Sequence, residues 1–268
     1  MKHLVVPTDF SDNATTALQV ALTLARRFGA KMTLLHTYKV IQRTGSFISL
    51  HDIIVEEREL EMRDFMRCIP KTDRQTLTID YKIVEGDAVP TIARFAHSTD
   101  ADLVVMGTKG ASGLKEIFLG SVTGGVLQKL KKPLLAVPQD YVWKNPSTFV
   151  WAVDRYSLPD SEVVAPLREL AQTFGAHVQI FHLSSPHEED VPDYEPAGML
   201  LGESPFSVHY AVTGKDIKLA INDFIEQNQA DLLCMIKHRR WLLDDIFHNS
   251  LTRREVFDCP VPLLVLRD

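Results

Sequence analysis

Short apolar runs and helical apolar spacing alternate along the chain from its start. HLVVP, residues 3–7, reads as a buried strand, and Asp12 to Phe28 sets Ala17, Leu18, Ala21, Leu22, Leu24 and Ala25 at helical spacing. Gly29 stands where a C-capping glycine belongs. KMTLLHT, residues 31–37, is the next strand, and after a polar stretch Asp52 to Cys68 alternates charged and apolar groups at helical period. LTIDYKIVEG, residues 77–86, reads as a strand and Asp87 to Ser98 as a helix. DLVVMG, residues 102–107, makes a fourth strand, a helix runs from about Ser121 to Leu130, and PLLAVP, residues 133–138, makes a fifth strand. Strands alternating with helices in this way predict an α/β fold: a parallel, doubly wound, five-stranded sheet with helices on both faces.

The pattern then begins again. TFVWAVDRYS (148–157) resembles KHLVVPTDFS (2–11) and places Asp154 opposite Asp9. FGAHVQIFHL (174–183) matches FGAKMTLLHT (28–37), pairing Gly175 with Gly29 and His182 with His36. From residue 101 onward a constant offset of 129 aligns the halves, so that Asp102, Met106, Phe118, Ser121, Thr123 and Pro133 all recur. This is a duplicated domain, expected over residues 1–140 and 147–268 with residues 139–147 as a short, restrictive joint. One segment breaks the symmetry. Between His182 and Phe206 the second half carries Pro186, Pro192, Pro196 and Pro205. An interior proline costs a helix about 3 kcal/mol, so the helix at 52–68 has no full counterpart there and an irregular, acidic, mobile loop is expected.

Composition narrows the class. The 268 residues carry a formal net charge of -6, which lacks the basic face that non-specific nucleic-acid binding requires. No run approaches the roughly 20 apolar residues of a membrane span, and the apolar run before Pro7 is too short for a signal-peptide core. Cys68, Cys234 and Cys259 are far apart and form no metal-type pair or disulfide framework, so a cytoplasmic location is the expectation.

Ligands of doubly wound sheets bind beyond the carboxyl ends of the strands, where the strand order reverses. With the order 3-2-1-4-5, Asp9 and Gly107 flank that crevice. Asp9 has two open readings: a ligand carboxylate, or a cap, with Ser11, of the helix beginning near Asp12. After the fourth strand come Gly107, Gly110, Gly113 and Gly120, followed by Ser121. Glycines admit positive φ and close backbone approach to an anion, and Gly120–Ser121 opens a helix whose free N–H groups and dipole favour phosphate. Ser121 and Thr123 add hydroxyl donors. The loop is neither a Walker A sequence nor G-x-G-x-x-G.

Gly107-x-x-Gly110, nine residues, then Gly120–Ser121 resembles the ATP-binding signature of the universal stress protein family, and VVPTDFS and PLLAVP fit the same family. The resemblance covers both halves and implies a tandem member with two adenine nucleotide alpha hydrolase-like domains of order 3-2-1-4-5. It implies Pro7, Thr8 and Asp9 near adenosine, Thr37 near the base, and Met106, Gly107, Thr108 and Gly110 along the ribose and phosphates. Gly120, Ser121, Val122 and Thr123 would receive the phosphate tail, with ATP accompanied by Mg²⁺. It also implies that the terminal strands PLLAVP and PLLVLR, edges that need covering, pair across the domain interface. Two such chains are expected to associate as a homodimer.

The second half departs from the motif. Ile236, Arg239, Leu242 and Asn249 replace Gly107, Gly110, Gly113 and Gly120, while Ser250 and Thr252 remain. Branched Ile236 disfavours positive φ, and Trp241, Leu242 and Leu243 suit packing over a vacated site, so one nucleotide site per chain is expected. His36 and His182 read as core histidines. His182 and His187 flank Glu188, Glu189 and Asp190, a setting that suits zinc, but the spacing matches no structural zinc motif and no metal is assigned. The functional expectation is a nucleotide-dependent stress-response regulator with an unidentified protein partner. The alternatives are an interaction module for protein or small ligand, or a slow ATPase.

Overall fold

The structure, a computed structural model, describes residues 1–40, 50–108, 120–139, 141–153, 158–184, 192–212, 217–237 and 259–268. The first half runs β1 (His3–Pro7), α1 (Asp12–Phe28), β2 (Lys31–Tyr38), α2 (Leu50–Arg67), α3 (Lys71–Thr76), β3 (Ile79–Glu85), α4 (Ala88–Ser98), β4 (Leu103–Gly107), α5 (Ser121–Lys129) and β5 (Leu134–Val137). The second half runs β6 (Thr148–Val153), α6 (Ser161–Phe174), β7 (His177–Ser184), α7 (Glu195–Met199), β8 (Phe206–Val212), α8 (Ile217–Gln227), β9 (Leu232–Lys237) and β10 (Leu263–Arg267).

The strands form one ten-stranded sheet in the order β3-β2-β1-β4-β5-β10-β9-β6-β7-β8. Each half therefore has the expected doubly wound order, read outward from opposite directions. Neighbours within a half are parallel, and at the centre β5 and β10 are antiparallel, with Leu263 opposite Ala136, Leu264 opposite Leu135 and Val265 opposite Leu134. The two apolar terminal strands thus cover each other's edges, as the resemblance implied. Every residue of β1 and β4 is buried, as continuous apolar runs in a sheet covered on both faces require. One face packs α1, α2 and α6 through Leu4, Leu18, Met62, Trp151 and Leu167. The opposite face packs α4, α5 and α8 through Val5, Ile92, Val126, Val150 and Ile221. Both layers run through both halves.

Local chemistry explains the boundaries. Ser11 caps α1 by accepting the Ala14 N–H, and Gly29 (φ 62) and Gly175 (φ 65) end α1 and α6 in the left-handed region, where a Cβ is penalised. The joint is tied down: Trp143 packs edge-on against Phe174 at 5.7 Å, and the Tyr141 hydroxyl donates to the Asp231 carbonyl at 3.1 Å. The segment before β8 departs from expectation. Its described part holds α7 and buries Tyr194, Ala197 and Leu201, with Pro196 in the first turn, where its missing N–H is not needed. Residues 185–191, including His187, Glu188, Glu189 and Asp190, lie outside the described residues.

Candidate functional site

The carboxyl ends of β1 and β4, adjacent in the sheet, open into a cavity of about 310 Å³. Its wall gathers Pro7, Thr8, Asp9, Thr37, Met106, Gly107, Gly120, Ser121, Val122 and Thr123, all singled out in the sequence. Thr108 does not line it; the residue follows Gly107, donates its N–H to the Val137 carbonyl at 2.9 Å and accepts from the Gly120 N–H. Gly110 and Gly113 lie outside the described residues. The sequence reading had not assigned Ala14, Leu35, His36, Ala88 and Ile92 to the site, yet they complete the wall. Their common signal is position, since Leu35 and His36 lie in the carboxyl half of β2 beside β1, Ala14 lies in the first turn of α1, and Ala88 and Ile92 share one face of α4.

The turn after β1 is built by its own side chains. Thr8 N–H donates to the Leu35 carbonyl at 2.9 Å, and Phe10, with φ 65, donates its N–H to Thr8 Oγ1 at 3.0 Å. Asp9 Oδ1 accepts from the Ser11 N–H at 3.2 Å and from the Ser11 hydroxyl at 2.6 Å. The Asp9 carboxylate thus lines the cavity and holds Ser11, and it is Ser11 that caps α1. His36 donates its Nδ1–H to the Thr8 carbonyl at 2.9 Å and stacks on Phe10 with ring centroids 4.3 Å apart. Burial pushes its pKa below the ordinary 6.5, outweighing the opposing pull of the Thr8 carbonyl. His36 is thus a neutral wall that fixes the β1 turn.

Two sequence arguments need correction. Gly107 is outside the positive-φ region; an added Cβ there would lie 2.4 Å from Asn13 Nδ2 and 2.9 Å from the Asn13 carbonyl oxygen. The glycine makes room for the first turn of α1. The Thr123 hydroxyl is not offered to a ligand either. It is buried and donates to the Gly107 carbonyl at 2.7 Å, tying α5 to the end of β4. What α5 presents to the cavity is its first turn of backbone N–H groups, which a helix leaves without intrahelical acceptors, together with exposed Ser121 and Val122.

The same place in the second half is apolar. β7 pairs with β6 as β2 pairs with β1, so Phe181 takes the place of Leu35 and Leu183 that of Thr37. Ile217 opens α8 as Ala88 opens α4, and Ile236 stands at the position of Gly107 in the offset alignment. Phe181 is buried and stacks on Phe224 at 3.9 Å, and Leu183 and Ile217 pack against the same cluster. Ile236 is buried in the core. α6 has 14 residues where α1 has 17 and starts later relative to its capping glycine, so the turn that crowds Gly107 has no helical counterpart. His182 is fully buried, with Nδ1 3.0 Å from the Tyr194 hydroxyl. Among the described residues no cluster of three or more His, Cys, Asp or Glu is placed to hold a metal. Asp154, Arg239, Trp241, Leu242, Leu243, Asn249, Ser250 and Thr252 lie outside the described residues.

Two doubly wound α/β units of order 3-2-1-4-5 meet through their fifth strands, with the cavity at the strand-order reversal of the first. The chain belongs to the universal stress protein family, whose model matches residues 1–138. It is 30% identical over 141 residues to universal stress protein MJ0531 of Methanocaldococcus jannaschii, covering 51% of this chain and 81% of the relative. Universal stress protein MJ0577 of the same organism is 30% identical over 152 residues, covering 51% and 94%. A solved universal stress protein from Archaeoglobus fulgidus superposes over 99% of this chain and 96% of its own, with a TM-score of 0.76 at 20% identity. The fold is therefore shared along both halves. Among the described residues no helix is long and apolar enough to cross a membrane.

Proposed function

We propose that the first half, residues 1–140, binds one ATP with Mg²⁺ and that the chain acts as a nucleotide-dependent regulator in the cytoplasmic stress response. The observation that carries this reading is the convergence of the sequence-selected residues on one cavity at the strand-order reversal. Its 310 Å³ lies at the lower end of the roughly 300–1,000 Å³ usual for small-molecule sites. Leu35, Ile92 and Met106 give an apolar wall suited to a purine, with Thr37 at its edge. The first turn of α5 suits the phosphates, with Gly110 expected beside them. Mg²⁺ would neutralise phosphate charge, held mainly by the phosphates, with Asp9 the one carboxylate of the described wall. That wall contains no lysine or arginine, which supports retention of nucleotide over rapid phosphoryl transfer.

In this reading the second half, residues 147–268, is a degenerate copy that binds no nucleotide, because larger apolar side chains stand at the equivalent positions. It leaves that half free to meet a protein partner. Calorimetric titration of nucleotide-free protein with ATP and Mg²⁺ should give one site per chain. Gly120→Asn, which copies the second half, should abolish it. Two sites would overturn the single-site reading, and no binding would favour an interaction module for protein or small ligand. Two chains are proposed to form a homodimer. Light scattering should then report about twice 30.2 kDa, and a mass equal to one chain would refute the dimer.

A further inference from the structure

The helix that would receive the phosphates is held at its far end by the other half of the chain. α5 has nine residues, about 13 Å at the 1.5 Å rise of an α-helix. Its first turn lines the cavity. In its last turn the carbonyls of Leu127 and Gln128 both accept from Arg267 Nη2, at 2.8 and 2.6 Å. Those carbonyls belong to the group that a helix leaves without intrahelical donors, and a cation there also meets the negative end of the helix dipole. Arg267 closes β10. It lies beyond the residues that pair with β5, and its half-buried side chain crosses from the second half onto the end of α5.

The rest of α5 gives it little rigidity of its own. Gly120 caps it without a side-chain hydrogen bond, and Gly124 and Gly125 sit side by side in its middle, where glycine weakens a helix. Gly125 lies so close to α4 that an added Cβ would come 2.7 Å from Val89. The helix therefore leans on α4 along its side and is tied at its ends, by Thr123 to Gly107 and by Arg267 to the second half. At the offset of 129 residues Arg267 corresponds to Pro138, which has no donor to offer, so the first half extends no matching arm from this position.

We propose that Arg267 is a positioning residue for the nucleotide site of the other half. By holding the C-terminal end of α5 it sets where the first-turn N–H groups stand in the cavity. Nucleotide occupancy is felt in return at the β5–β10 seam, because coupling between two sites is reciprocal in free energy. This inference rests on the nucleotide reading above. It gives the second half a task even without a nucleotide of its own: it braces the working site.

The test compares wild type with Arg267→Met, which keeps an unbranched apolar stem without donors, and with Arg267→Lys, which keeps the charge. Calorimetry with ATP and Mg²⁺ should show the Met variant binding about 5- to 10-fold more weakly, with the Lys variant between it and wild type. Hydrogen exchange followed by mass spectrometry supplies a readout that simple destabilisation would not move. In wild type, ATP should slow exchange at residues 263–267 as well as in α5, while β3 at the far edge stays unchanged. In the Met variant the slowing should persist at the N-terminal end of α5 and vanish from 263–267. Should the Met variant fail to fold, the wild-type exchange pattern decides alone. ATP that binds without altering exchange at 263–267 overturns the inference and leaves the nucleotide reading standing. Wild type that binds no ATP overturns both.

Discussion

At the scale of single residues, the contact between Gly107 and Asn13 decides what the site can be. Asn13 is buried in the first turn of α1, and its side chain and carbonyl occupy the space that a Cβ at residue 107 would need. Gly107→Ala should therefore destabilise the protein by about 1–3 kcal/mol through overpacking. In an Asn13→Ala background the added cost should fall, since the side-chain part of the clash is gone, and contacting residues couple in this way. Urea denaturation of the four proteins in this cycle measures both quantities. A Gly107→Ala variant as stable as wild type would remove the steric account and return the glycine to the ligand. The sequence made residue 107 legible as a required glycine, because spacing singles it out. It could not make the reason legible, since the crowding comes from a helix start far away in the chain. Thr123 is a parallel case: its place after Gly120–Ser121 marks it as a site residue, yet only packing reveals that its hydroxyl is spent on the Gly107 carbonyl.

At the scale of elements, long periodic segments were readable and short ones were not. The buried strands of the first half and α1, α2, α4 and α5 follow from apolar runs, helical spacing and the capping glycine Gly29. α3 has six residues, KTDRQT, and no apolar periodicity. It is anchored by buried Asp73, whose two carboxylate oxygens accept from Arg26 Nη1 at 3.0 and 2.9 Å. α7 was hidden by Pro196, the prolines flanking it and Gly198, which read as loop chemistry. In the folded chain those residues serve packing. An added Cβ at Gly198 would fall 2.1 Å from the ring of Phe206, so the missing side chain is what lets α7 lie down on β8. Such pairings join residues whose proximity no local window contains. The cavity wall shows the same division. Its glycines and threonines carry a motif, whereas Ala88 and Ile92 enter it through the placement of α4.

At the scale of the whole molecule, stability against pH follows from where the sheet buries its histidines. His3, at the start of β1, sets Nδ1 3.1 Å from the Thr99 carbonyl and Nε2 3.0 Å from the Thr33 hydroxyl. His36 sits at the other end of the sheet, on the cavity wall. Burial is the largest influence on both and pushes each pKa below the ordinary 6.5, although the carbonyls of Thr99 and Thr8 pull the other way. Each histidine therefore takes up a proton more readily in the unfolded chain than in the folded one. The stability gained by keeping them neutral is fully present above about pH 7.5 and is lost as pH falls below about 6.5, until the folded-state pKa values are reached. Within that window each histidine contributes a slope of up to about 1.4 kcal/mol per pH unit. Asp100 also has a lowered pKa, held down by Lys132, but a depressed carboxylate loses its contribution only below the ordinary carboxylate range. Urea denaturation of nucleotide-free protein should accordingly show stability falling steadily from pH 7.5 to 5.5. A His3→Gln/His36→Gln double variant should be less stable at pH 7.5 yet lose less on acidification. A wild-type profile that is flat or rising toward pH 5.5 would mean that both histidines can be protonated without cost. In that case the neutral, hydrogen-bonded His36 that shapes the β1 turn and the cavity wall would have to be abandoned.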